Sequence, residues 1–147
     1  MIIRRPYEKL AGCVWFGRIV DKTRHFLNGT LHQDYQRSFC HPKGIDGFFL
    51  THFNLTREEI IEAVKKQGSD DALTDWFLGD ENRAGKIEAW NDFGTNLGKP
   101  GTEGEQMLRW ALENVYTHCK DPRIDTAFKV LAEDEGYLDE YLEILRV

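Results

Sequence analysis

Apolar residues recur at helical spacing along most of this 147-residue chain. The first stripe follows Pro6 and runs to Asn28-Gly29, and it predicts a long helix over residues 6–27. Proline suits a helix start because its missing N–H is not needed there, and Asn-Gly tolerates the left-handed conformation of a helix end. Similar stripes follow in the segments 45–53, 57–67, 70–78, 83–93, 105–115, 122–131 and 138–145.

Helix-start signals precede several of these stripes. Thr56 and Glu59 have the spacing of a capping box, and so do Thr102 and Glu105. Asp121-Pro122 combines an N-cap residue with proline at the first helical position. Because no convincing alternating pattern interrupts the stripes, we predict an all-α fold of six or more helices with little or no sheet.

The chain has the length of a single domain, and we predict one over residues 1–147. The Gly-rich connector 94–104 is the predicted subdomain boundary. Its Gly94-to-Pro100 part has one residue too few between glycines for a nucleotide-binding loop, and proline replaces the hydroxyl residue that such a loop carries after Lys99.

Charge is distributed unevenly along the chain. Residues 1–43 carry eight Lys and Arg against three Asp and Glu, a formal charge of +5, whereas residues 44–147 carry eleven against twenty-two. The net charge of -6 disfavours a nucleic-acid partner, and internal pairing of the two parts is expected. No apolar run is long enough to cross a membrane, and no secretory signal is evident, so we expect a cytoplasmic protein.

A row of chemically capable side chains lies in the first stripe. Arg18, Asp21, Lys22 and His25 are spaced so that they share one face of a helix. Such a row could hold a carboxylate or phosphate, with Asp21 orienting the cations and His25 able to exchange a proton near neutral pH. The simpler interpretation is a solvated face with intrahelical charge pairs.

A binding site needs groups from a second segment, and residues 30–41 are the most plausible source. This segment lacks clean periodicity, and it offers Asp34, Tyr35 and Arg37 to the row. We therefore take as candidate ligand-binding residues Arg18, Asp21, Lys22, His25, Asp34, Tyr35 and Arg37.

The chain resembles a bacterial family known as domain of unknown function 5069. The most specific part is Arg18-x-x-Asp21-Lys22-x-Arg24 followed by Gly29-Thr30-Leu31, and the wider pattern includes Pro6, Leu10, Gly12, Tyr35, Asp70 and Trp76. The likeness covers about residues 4–78. It departs from the family at Leu31-His-Gln-Asp-Tyr35, where Leu-Gly-Glu-Tyr is expected. The resemblance implies a small cytoplasmic protein and assigns no activity, cofactor or catalytic residue.

Three functions remain open on the sequence. The first is binding of a small anion or a protein partner at the charged face of the first helix. The second is an enzyme that uses Arg18, Asp21 and His25 as its polar centre. The third is an interaction module that forms a homodimer through the C-terminal helices at Tyr137, Tyr141 and Leu145.

No cofactor or metal is expected from the sequence. The pairs Cys40-His41 and His118-Cys119 lack the usual spacing of zinc ligands, and neighbouring residues on a helix diverge by about 100°. With Cys13, the cysteines are odd in number, and reduced thiols are predicted.

Overall fold

The computed structural model describes residues 2–146, which form ten α-helices. The strand-like pairing within this range is one isolated antiparallel bridge between Leu10 and Cys13, so the all-α prediction is confirmed. No helix of residues 2–146 is both long and apolar enough to cross a membrane. The helices are α1 Phe16–Leu27, α2 Gln33–Gln36, α3 Ile45–His52, α4 Arg57–Gln67, α5 Asp70–Leu78, α6 Glu81–Ala84, α7 Ile87–Asn96, α8 Gly104–Asn114, α9 Ala127–Glu135 and α10 Leu138–Leu145.

The first long helix is shorter than the apolar stripe predicts. It begins at Phe16 and not at residue 6, because Ala11, Gly12 and Trp15 have positive φ angles of 56°, 72° and 70°. A left-handed residue cannot continue a right-handed helix. Residues 6–15 form turns instead, tied by a 2.9 Å hydrogen bond from Trp15 N to Pro6 O.

Of the three predicted helix caps, one is confirmed. Thr56 and Glu59 form the predicted capping box of α4. The Thr102–Glu105 box is wrong, because the Thr102 hydroxyl donates to Lys99 O at 2.6 Å and does not cap α8. The Asp121 cap is also wrong, because its carboxylate accepts from Arg123 N in a turn and α9 starts only after Thr126.

The described chain divides into two compact units, Met1–Asn91 and Asp92–Val147, and the division falls within α7. It lies close to the Gly-rich connector, but whether the units behave as one domain stays a prediction.

The first unit is built around an aromatic core. Phe16 of α1 stacks on Phe77 of α5 with ring centroids 4.2 Å apart, and Phe49 of α3 meets Trp90 of α7 edge-on at 5.5 Å. All four side chains are fully buried. Aromatic pairs of this kind contribute about 0.5–1.5 kcal/mol beyond the burial of their area. The core therefore fixes one face of α1 and leaves its charged row facing away from these rings.

The turns of residues 10–15 are held by the end of the first unit. Trp90 Nε1 donates to Val14 O, and Asn91 exchanges hydrogen bonds with Val14 N and Gly12 O, all at 2.9 Å. These bonds satisfy backbone groups that a helix would otherwise have paired.

The second unit has a smaller core where α8 and α9 meet. Its buried centre is Leu108, Cys119 and Val130, with half-buried apolar side chains packed around it. α9 ends at Gly136 in the left-handed conformation and α10 follows. Tyr137 and Tyr141 are buried, whereas Leu145 is exposed, so the two tyrosines are not available for the predicted dimer contact.

Candidate functional site

The charged row of α1 separates into three environments. Arg18 and Lys22 are buried, with 2% and 3% of their surface exposed. Asp21 is half-buried in a surface ion-pair network, and His25 is half-buried at the end of the helix. The shared helical face predicted from the spacing is present, but its members have different partners.

Arg18 and Lys22 converge on two aromatic rings. The Arg18 guanidinium carbon lies 5.3 Å from the ring centroid of Trp15 and 5.7 Å from that of Tyr35. The Lys22 ammonium lies 5.1 Å and 5.9 Å from the same two centroids. Such distances are within cation–π range, where the negative faces of the rings attract a desolvated cation. We call these four residues and Asp46 the inner cluster.

Asp46, on α3, is the acidic member of the inner cluster. Its carboxylate lies 3.3 Å from Lys22 Nζ through either oxygen, and it accepts from Trp15 Nε1 at 2.7 Å and from Cys40 N at 2.9 Å. Burial lowers the pKa of Lys22, and the nearby Arg18 charge adds to this while Asp46 opposes it. The inner cluster thus holds two cations and one carboxylate away from water, with Asp46 oriented by three donors.

Asp21 belongs to a second network, which connects three segments of the first unit. Arg4 donates to Asp21 through Nε and Nη2 at 3.0 Å each, and through Nη1 to Asp70 at 2.9 Å. Arg24 pairs with Asp70 at 2.9 Å. Although burial opposes it, these hydrogen bonds from Arg4 and Arg24 lower the pKa of Asp70 below its ordinary 3.8. This network joins the N-terminal segment, α1 and the start of α5.

Gly17 allows Arg4 to lie across α1. A Cβ atom at Gly17 would sit 2.9 Å from Arg4 Nε, which is closer than real Cβ contacts come. From this position Arg4 also accepts, through its backbone oxygen, a 3.1 Å hydrogen bond from Arg18 Nη1. The inner cluster and the surface network are therefore linked through Arg4.

Segment 30–41 supplies only part of what the sequence predicts. Tyr35, in α2, does cover Arg18 and Lys22. Asp34 and Arg37 are exposed, and Asp34 interacts with His32 on its own segment. Neither has a described contact with the row.

His25 also lies apart from the inner cluster. Its ring contacts the Thr30 hydroxyl at 2.8 Å and Ile2 O at 3.2 Å. These partners hold the imidazole at the C-terminal end of α1, beside the chain that leaves it.

Sequence reasoning missed Trp15 and Asp46 as site residues. Trp15 lies among the apolar residues of the first stripe, and nothing in its spacing marks it as part of a site. A signal for Asp46 existed, because it is an acidic residue within the otherwise apolar run Ile45-Asp-Gly-Phe-Phe-Leu50. A carboxylate on a buried face needs a buried partner, although its position along the chain does not name that partner.

Comparison with known proteins identifies a family to which this chain is similar. The model of a family described as a domain of unknown function, DUF5069, matches residues 1–137, a longer stretch than the residues 4–78 that carry the resemblance in sequence. Searches of curated proteins and of solved structures return no match.

Proposed function

Since this chain belongs to the DUF5069 family, whose description states no activity, we propose from its own geometry that it binds a small anion at the inner cluster. The observation that carries the proposal is the convergence of two buried cations, Arg18 and Lys22, on the same pair of rings. Two like charges brought together away from water repel each other, and an anion between them offsets this cost.

The chemistry of the inner cluster suits a carboxylate or phosphate group. A guanidinium offers a planar pair of donors that matches either group, and an ammonium adds a compact positive charge. Trp15 and Tyr35 add apolar walls, which are typical of small-molecule sites with few polar groups. Asp46 sits on the Lys22 side and keeps that ammonium in place.

A ligand must displace part of the cover to reach the two cations. The cover is segment 30–41, whose only helix is the four-residue α2 and whose Tyr35 is half-buried. Leu31, Phe39 and Cys40 anchor this segment at its two ends, because all three are buried. We propose that the exposed middle of the segment moves while these anchors stay in place.

Catalysis is outside this proposal. Asp21 is engaged by Arg4 and Arg24, and His25 by Thr30 and Ile2, so the three residues of an Arg18–Asp21–His25 centre face different partners.

The proposal is tested by thermal unfolding with phosphate, pyrophosphate, glutarate and citrate. A ligand specific to the folded state raises the unfolding free energy by about 2.7 kcal/mol at one hundred times its Kd. We expect at least one of these anions to raise the melting temperature of the wild type, and Arg18→Lys to remove most of that increase because the planar pair of donors is lost.

Two further variants separate the ring from the hydroxyl at position 35. Tyr35→Phe keeps the aromatic face and should retain the increase, whereas Tyr35→Ala should lose it. Arg37→Ala, an exposed cation on the same segment, is the matched control and should behave as the wild type. An anion effect that is equal in wild type, Arg18→Lys and Tyr35→Ala contradicts the proposal.

A further inference from the structure

The turn after α8 brings two metal-ligating side chains against α9. Cys119 N donates to Tyr116 O at 2.9 Å, which closes the turn, and Cys119 Sγ contacts Val130 O at 3.9 Å. Asp134 lies one helical turn beyond Val130 on α9. His118 Nε2 is 2.5 Å from the Asp134 carboxylate. One nitrogen, one sulfur and one oxygen ligand atom thus lie within 4.8 Å of one another.

We propose that His118, Cys119 and Asp134 form a Zn²⁺ site in the second unit. Imidazole nitrogen, thiolate sulfur and carboxylate oxygen are the three donors that zinc accepts in proteins. A thiolate with an imidazole favours zinc over the hard ions Mg²⁺ and Ca²⁺, which prefer oxygen. Three protein ligands leave the fourth tetrahedral position to water.

Small side-chain movements complete the coordination geometry. Ligands at about 2.0–2.3 Å from one tetrahedral Zn²⁺ are about 3.3–3.7 Å from each other. The His118–Asp134 distance must therefore widen by roughly 1 Å, and the thiol, which lies within 4.8 Å of both other ligand atoms, must approach them by no more than about 1.5 Å. The His118 side chain is 60% exposed and that of Asp134 is 34% exposed, so both have room to move, while buried Cys119 provides a fixed point.

The surroundings of the thiol favour a cation. The carboxylates of Asp134 and Glu133 place negative charge near the Cys119 sulfur, and a dication neutralises that charge. On binding, the thiol proton leaves to solvent and the sulfur bonds to the metal as thiolate.

This site departs from the metal-free expectation drawn from the sequence. That expectation placed His118 and Cys119 on a helix, whose neighbouring side chains diverge. Both residues instead follow α8 in a turn, and their third partner comes from 15 residues further along the chain. The spacing of these residues in the sequence therefore does not predict the site.

The test uses tag-free full-length protein and two metals. Zn²⁺ affinity is measured by competition with a chromophoric chelator, and Co²⁺ is added separately to report the ligand set. We expect one Zn²⁺ per chain and a near-ultraviolet charge-transfer band from thiolate to cobalt. His118→Gln, Asp134→Asn and Cys119→Ala should each weaken Zn²⁺ binding by at least about 100-fold, since losing even a supporting residue costs about 10–100-fold.

His32 and Asp34 provide the matched control. They form an exposed histidine–aspartate pair, with Nδ1 and Oδ2 3.4 Å apart, on the first unit. His32→Gln and Asp34→Asn should leave Zn²⁺ affinity unchanged. The His118 and Asp134 variants keep the test valid if Cys119→Ala perturbs the core, and circular dichroism checks that each variant is folded. Zn²⁺ binding equal in wild type, His118→Gln and Asp134→Asn, or a Co²⁺ spectrum without the thiolate band, overturns the proposal and leaves a His118–Asp134 hydrogen bond beside a core thiol.

Discussion

Asp46 serves three donors at once, and its charge is the one that compensates Lys22. We predict that Asp46→Asn lowers the unfolding free energy by about 3–5 kcal/mol, because it strands a buried ammonium. The shape of the side chain is conserved, so the loss measures charge and not volume. Urea unfolding followed by tryptophan fluorescence gives the value.

The control for Asp46→Asn is Asp34→Asn, the same change on an exposed carboxylate, with an expected effect within about 0.5 kcal/mol. Adding Lys22→Met to Asp46→Asn should restore part of the lost stability, since no buried ammonium remains to be stranded. Equal effects of Asp46→Asn and Asp34→Asn would show that the Lys22–Asp46 pair contributes nothing to the unfolding free energy.

At the residue scale, the sequence predicted which side chains share a face of α1. It did not predict which residues these side chains contact. The spacing of Arg18 and Lys22 follows from helix geometry alone. Their burial depends on Asp46 and Tyr35, which come from α3 and α2, and no local pattern encodes that approach. His25 has the same spacing but lies at the helix end, where the chain turns away.

At the scale of single elements, a cap signal in the sequence predicted a helix start correctly at one position and failed where its side chain bonded within a turn. The Thr56–Glu59 capping box formed, with both side chains bonded to backbone N–H groups at the start of α4. Thr102 and Asp121 had nearer partners in turns, Lys99 O and Arg123, so the same residue types gave no cap. Helical periodicity from residue 6 onward could not reveal the left-handed residues that delay α1 to Phe16.

The Gly-rich connector provides an element-scale prediction. Gly98 and Gly101 both have positive φ, 93° and 86°, but only at Gly98 would a Cβ meet a neighbour, Leu108 Cδ2 at 2.9 Å. Gly101→Ala should cost about 1–2 kcal/mol from backbone strain. Gly98→Ala should lower the unfolding free energy by about 1–3 kcal/mol more than Gly101→Ala does, because α8 must shift to accommodate the methyl group.

Chemical denaturation of both alanine variants gives these costs, and Gly101→Ala serves as the control for backbone strain. A Gly98→Ala loss no larger than that of Gly101→Ala would mean that Leu108 yields without cost. The glycine at 98 would then be needed for its φ angle alone.

At the scale of the whole molecule, buried thiols link stability to alkaline pH. Burial raises the pKa of Cys40 from 9.0 to about 12, and burial also raises that of Cys13. Between these values the folded state keeps protons that the unfolded state has lost. The contribution of these thiols to the unfolding free energy is therefore complete below pH 9.0. It is lost as pH rises towards 12.

We predict that the unfolding free energy falls above pH 9.0 by up to about 1.4 kcal/mol per pH unit for each such thiol. Lys22 acts in the opposite direction, because its lowered pKa makes stability rise with pH up to 10.5. Urea unfolding across this range, with reductant present, should give a shallower slope for Cys40→Ala than for the wild type. Identical slopes for the two proteins would contradict the linkage.

The hydrogen bonds between residues 10–15 and α7 set an order of events during synthesis. Val14 is bonded by Trp90, which follows it by 76 residues. At about 5–20 residues per second, a ribosome needs roughly 4–15 s to add the second partner after the first. In the later half of that interval, once they have been added, Phe49 and Phe53 lack the indole that packs against them. Nascent chains that pause before Trp90 are thus the ones that expose an open aromatic surface to chaperones and to other chains.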